Sequence, residues 1–159
     1  EALSMYQRIY GTDNPHQDVA QLLCDIGYHY FCISDYHTAV DYSHRSLDKY
    51  KRIYGEDGGD SCMGTVLYNL GVSYDKLKMY KLAENYSLQA LEMRKNLYGE
   101  KSNNSRIADT LYNLAVTYNH MNRERNVIQC FKQALAIYKI VSPNNEDINE
   151  IQDYLQSTV

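Results

Sequence analysis

The ten residues TVLYNLGVSY, from Thr65 to Tyr74, return 44 residues later as DTLYNLAVTY, from Asp109 to Tyr118. Either a catalytic motif or a building block has been written twice, and agreement outside the decapeptide decides. Gly11, Gly55 and Gly99 keep the 44-residue step, each after a tyrosine. So do Gly27, Gly71 and Ala115, and Leu23, Leu67, Leu111 and Leu155. Tyr30, Tyr74 and Tyr118 form another column, as do Ala39, Ala83 and Val127. So many columns in one ungapped register make the chain a repeat array. The aromatic bias, 17 Tyr with two Phe and no Trp, follows from it, because most tyrosines stand in repeated positions.

Within a unit the apolar spacing is helical. Met63, Leu67, Leu70, Gly71, Tyr74 and Leu77 mark one face at steps of three and four. After a short polar break, Tyr80, Ala83, Tyr86, Ala90 and Leu91 mark a second. Small residues at 71 and 83 predict a close approach of the two helices. Gly55 and Gly99 suit a left-handed position after a helix C-terminus. The unit is helix, turn, helix, loop. One such pair cannot cover its apolar face, whereas stacked pairs can, so the expected fold is an all-α solenoid of antiparallel helix pairs.

Composition excludes several classes. The formal charge of −4 argues against a nucleic-acid partner, which needs a clustered positive surface. No apolar run approaches the roughly 20 residues of a membrane span, so no membrane partner is expected. Cys24, Cys32, Cys62 and Cys130 show no CxxC pair. Their scatter fits reduced thiols in a cytoplasmic protein rather than a disulfide framework. No HExxH, GxSxG, P-loop or GxGxxG occurs. Cys24, Cys32, His29 and His120 lack the spacing of a nucleophile or zinc set, so no enzyme, cofactor or metal is expected. His37 and His44 are read as solvated or packing residues, and the turn stretch from Lys76 to Lys81 with Arg123 and Arg125 as solvated charge.

These columns resemble the tetratricopeptide repeat. The matches are Leu67, Leu70, Gly71, Tyr74, Tyr80, Ala83 and Ala90, then Leu111, Leu114, Ala115, Tyr118, Val127, Phe131 and Ala134. Ser43 and Ser46 depart from the bulky residue and alanine of the motif, and Glu124 stands where Tyr36 and Tyr80 do. The period exceeds the usual 34, which is similar to the long repeats of kinesin light chains. The stretch NPHQDVAQLL, from Asn14 to Leu23, is similar to a segment of that subclass. The resemblance implies a right-handed superhelix with repeats at 12–55, 56–99 and 100–143. Residues 1–11 would end a preceding repeat helix, and 144–159 would start a fourth repeat or a terminal helix. An array that begins and ends within a unit is expected to be a piece of a longer one, open to head-to-tail self-association.

The resemblance also implies a concave groove lined by the first helices. By position it takes Asp25 and Tyr28; Tyr68, Asn69, Val72 and Lys76; and Tyr112, Asn113, Val116 and His120. Gln21, Cys24, Phe31, Cys32, Thr65, Asp75, Asp109 and Asn119 share these faces. Asn69 and Asn113 would pair with the backbone of an extended peptide, or bond neighbouring helices. The tyrosines would supply rigid contact area, or pack between helices. Lys76 is the one cation among these positions, so the groove lacks a clamp for a chaperone C-terminus. It reads as neutral and tyrosine-rich, suited to a peptide with apolar anchors and some basic residues. The expected function is a protein-interaction scaffold for a peptide or partner helix; the alternative is an architectural segment that stacks end to end with an empty groove.

Overall fold

The structure is a computed structural model that describes residues 4, 5, 8, 16–55 and 61–158. The helix expected at 1–11 falls mostly outside these residues, and residues 11–15 and 56–60 fall wholly outside them. Seven helices are bounded among the described residues: α1 (Gln17–Cys32), α2 (Tyr36–Tyr54), α3 (Ser61–Lys76), α4 (Tyr80–Tyr98), α5 (Ser105–His120), α6 (Glu124–Val141) and α7 (Asp147–Ser157). They pack in chain order as antiparallel pairs, α1 with α2, α3 with α4 and α5 with α6. Each pair leans on the next, and α7 closes onto α6. The fold is all-α.

Apolar columns explain this packing. Val66, Leu67 and Leu70 on α3 are buried with Ala20 and Cys24 on α1, Leu47 and Tyr50 on α2 and Ala90 on α4. A second core joins Ile107, Leu111 and Leu114 to Phe131, Tyr138 and, from α7, Ile148 and Ile151. Gly71 holds its pair close: a Cβ there would stand 2.3 Å from Ser87 Oγ and 3.2 Å from its backbone nitrogen. Gly27 meets Ser43 in the same way, at 3.0 Å. Both unusual serines of the first unit are buried. Ser46 Oγ donates to the Ala20 carbonyl at 2.7 Å, so a hydroxyl sits comfortably where alanine is usual.

Each pair turns through one backbone device. Ser34, Lys78 and Asn122, 44 residues apart, have φ of +63, +61 and +56. The amide of the residue immediately before the second helix then caps the first. Asp35, Met79 and Arg123 donate to the carbonyls of Tyr30, Tyr74 and Tyr118, each at 2.9 Å. The expectation for Gly55 and Gly99 needs correction. Their φ is positive, but ψ is 172 and 142. They therefore adopt an extended mirror region that is essentially glycine's alone, not the left-handed helical one. Pro143 holds that column in the third unit.

Among the described tyrosines only Tyr50, Tyr118 and Tyr138 are fully buried, while Tyr28 and Tyr54 are exposed. Most of the others are half-buried between helices. His44 packs: its Nε2 lies 2.8 Å from Tyr74 Oη, and its ring stands edge-on to Tyr74 and Tyr86. His37 is exposed. Arg123 is not merely solvated, because it pairs with Glu84 at 2.7 Å.

Candidate functional site

The Cα traces of α1 and α3, and of α3 and α5, approach within 8 Å, whereas those of α2 and α4, or α4 and α6, do not. The array therefore bends toward α1, α3 and α5, whose free faces form its inner side. All ten residues singled out from the sequence lie on these three helices.

A ladder of side chains links them. Asn113 donates to Tyr68 Oη at 2.7 Å and to the Asp109 carbonyl at 2.9 Å. One repeat earlier, Asn69 reaches Cys24 Sγ at 3.7 Å. Both amide nitrogens thus serve the scaffold. Their oxygens accept no hydrogen bond among the described residues, and neither oxygen is buried. Tyr112 donates to Glu150 of α7 at 2.8 Å and stands against Phe131. His120 Nδ1 lies 3.1 Å from Asp75, which also accepts from Thr117, and its ring meets Tyr80.

Other positions stay open. Tyr28 is 57% exposed and stacked beside Phe31. Asp25 is exposed, with one oxygen accepting from Gln21 at 2.8 Å. Lys76 is exposed at the end of α3, and Val72 and Val116 are half-buried. Cys32 and Asn119 are exposed, and Thr65 bonds the Ser61 carbonyl of its own helix. The structure joins Tyr68 to Asn113 and Asn69 to Cys24, and leaves Asp25 and Tyr28 at the other end of the face from Tyr112 and His120.

Three participants escaped the sequence reading. Arg94 comes from α4, in the column of Tyr50 and Tyr138, yet is buried under the inner face. Its guanidinium lies 4.7 Å from the Tyr68 ring centre and donates to Thr110 and to the Arg106 carbonyl. Its Nε is buried without a partner, and burial lowers its pKa. Burial likewise raises the Tyr68 phenol. Asp147 and Glu150 of α7 complete the set. Burial first, then Glu150 and Asp109, hold the Asp147 carboxyl above its ordinary value. The helical period alone could have placed α7 beside this face, but an arginine in a tyrosine column gave no signal.

The site offers shape and polarity rather than bond-making chemistry. Burial pushes the Cys24 thiol up to about 12 and the Cys130 thiol to about 11, so both stay protonated at neutral pH. Among the described residues no group of three or more His, Cys, Asp or Glu is arranged to hold a metal ion. No helix among them is long and apolar enough to cross a membrane.

The tetratricopeptide repeat family matches residues 18–96 and 62–140. No curated protein matches. Among solved structures, BtubC (BKLC) from P. vanneervenii superposes with a TM-score of 0.75 at 20% identity, over 90% of this chain and 56% of that one. The chain thus spans little more than half of BtubC. A TPR-like protein (ct2138) from Chlorobium tepidum TLS gives 0.68 at 14% identity, over 87% of this chain and 90% of that one. With its register, paired helices and matched residues together, the chain belongs to the tetratricopeptide repeat family, in its long-repeat, kinesin-light-chain-like form.

Proposed function

We propose that the chain is a protein-interaction scaffold that holds an extended peptide or partner helix along the inner face of α1, α3 and α5. The observation that supports this most is the division of labour within Asn69 and Asn113. Their nitrogens bond across to neighbouring helices, and their oxygens accept no hydrogen bond among the described residues and are not buried. A face fixed by its own bonds loses little entropy on binding. Tyr28, Val72, Val116 and Lys76 supply contact area around the two amides. Family membership supports a binding role in general and leaves the ligand to be found.

A peptide array followed by calorimetry tests this. A peptide held on the inner face should bind Tyr28→Ala or Val72→Ala more weakly by about 1 kcal/mol or more, and bind Lys132→Ala on α6 unchanged. The opposite pattern would move the site to the outer helices. A second reading, end-to-end assembly, draws on Tyr154 and Leu155 of α7, which are only half-buried. Sedimentation at rising concentration without peptide would show assembly if that reading holds.

A further inference from the structure

The helices sort their charge by layer. The inner helices α1, α3 and α5 carry Asp18, Asp25, Asp75 and Asp109 against Lys76 and Arg106, and α7 adds Asp147, Glu150 and Asp153 with no Lys or Arg. The outer helices α2, α4 and α6 carry ten Lys or Arg against five Asp or Glu. Of those ten only Arg94 is fully buried, reaching inward to α5. The inner layer is therefore acidic, not neutral as expected: the expected face already carried Asp25, Asp75 and Asp109 against Lys76, and Asp18 and α7 add four more acids against Arg106.

Helix dipoles account for part of this. Asp18, Asp147 and Glu150 lie in first turns, where acids are favoured. Asp25, Asp109 and Asp153 lie deeper in their helices and have no such reason. Ion pairs do not account for them either: among the described residues Asp25, Asp109, Asp147, Glu150 and Asp153 make none, although Asp109 accepts from Tyr138 Oη at 2.9 Å and feels the charge of Arg94, and Glu150 accepts from Tyr112. Arg106 donates instead to Ser61 and to Tyr98 Oη. An excess of acids over Lys and Arg along one layer favours a cationic occupant, by attraction and by steering.

Resting on the inner-face reading above, we infer that the occupant is an extended, lysine- or arginine-bearing segment of a partner protein. Its cations would lie against Asp25, Asp109 and the α7 carboxylates, and its apolar side chains against Tyr28, Val72 and Val116. The upward displacement of the Asp147 carboxyl agrees with this crowding.

The test compares a labelled peptide of about nine residues alternating Lys with Leu and Ser against its Glu-for-Lys counterpart, by fluorescence anisotropy at roughly 50 and 300 mM salt. The Lys peptide should bind, more weakly at high salt, and the Glu peptide should not. The triple variant Asp25→Asn, Glu150→Gln, Asp153→Asn changes exposed positions only. It should keep the helical melting curve and lose about tenfold in affinity for the Lys peptide. Equal binding of the two peptides, no binding of the Lys peptide, or an unaffected triple variant would overturn the inference. An uncharged array peptide that is sensitive to Tyr28→Ala but not to the triple variant would leave the inner-face reading standing and remove the basic class alone. Lys-peptide binding that responds to the triple variant but ignores both Tyr28→Ala and Val72→Ala would remove the inner-face reading too. Salt-sensitive dimerisation without peptide would give the acidic layer to the basic outer helices of a second copy, and would equally overturn the inference.

Discussion

The side-chain amide of Asn113 on α5 donates to the hydroxyl of Tyr68 on α3 at 2.7 Å. Those two residues lie 45 apart in sequence, and the bond ties one repeat to the next. Asn113→Ala removes two donated bonds and leaves Tyr68 Oη without its donor. It should cost about 1–2 kcal/mol in denaturant unfolding. Asn69→Ala loses one bond to a weak sulfur acceptor and should cost less. Equal losses would mean that the ladder is not what these amides contribute.

Gly71 governs the approach of α3 to α4. Gly71→Ala drives a methyl into Ser87 and should destabilise by about 1–3 kcal/mol. Adding Ser87→Ala removes the nearest atom and should restore part of the loss, since the backbone nitrogen stays at 3.2 Å. Calorimetric melting of the single and double variants reads this directly.

Lys78 sits in a left-handed turn with no glycine to relieve it. Lys78→Gly and Ser34→Gly should each raise stability by up to about 1 kcal/mol. Asn122→Gly should gain less, because asparagine tolerates that region better. Melting temperatures that fall in all three would contradict the role given to these turns.

Arg94 breaks the Tyr50 and Tyr138 column. Arg94→Ala strips the partner from the Tyr68 face, Thr110 and the Arg106 carbonyl, and should cost about 3 kcal/mol. Arg94→Tyr restores the residue used by the neighbouring repeats and should cost less. Unfolding midpoints for the pair decide it.

Alkaline pH should weaken the fold. Cys24 is raised from 9.0 to about 12 and Cys130 from 9.0 to about 11, both by burial. Below pH 9 the folded and unfolded chains both hold these protons, and stability does not change on their account. Above it the unfolded chain ionises first, so stability is lost progressively as pH rises through the folded values. Tyr118, pushed up to about 12 by burial, adds to the loss. In thiol titration at neutral pH, exposed Cys32 should react well before Cys24 and Cys130.

The 44-residue columns carried the fold. Leucines 67, 70, 111 and 114 are buried where helical spacing put them, and Gly71 stands where a side chain would collide. The turns escaped because Ser34, Lys78 and Asn122 share a backbone conformation and no chemistry. Ser46 escaped because one hydroxyl found a free carbonyl across the helix interface. The inner face was traceable as a set of positions. The directions of the Asn69 and Asn113 amides were not, since rotamer choice depends on a neighbour a full repeat away. The acidity of that face was open to counting, and α7 set beside α5 adds to it.

The central claim is that the inner helices are the binding surface. Backbone amide shifts of the isotope-labelled chain, titrated with an array-selected peptide, test it most directly. The account expects the largest changes at Asp25, Tyr28, Asn69, Val72, Asn113 and Val116, with α2, α4 and α6 nearly still on their outer faces. Changes concentrated on those outer faces, with the amides of Asn69 and Asn113 unmoved, would contradict it.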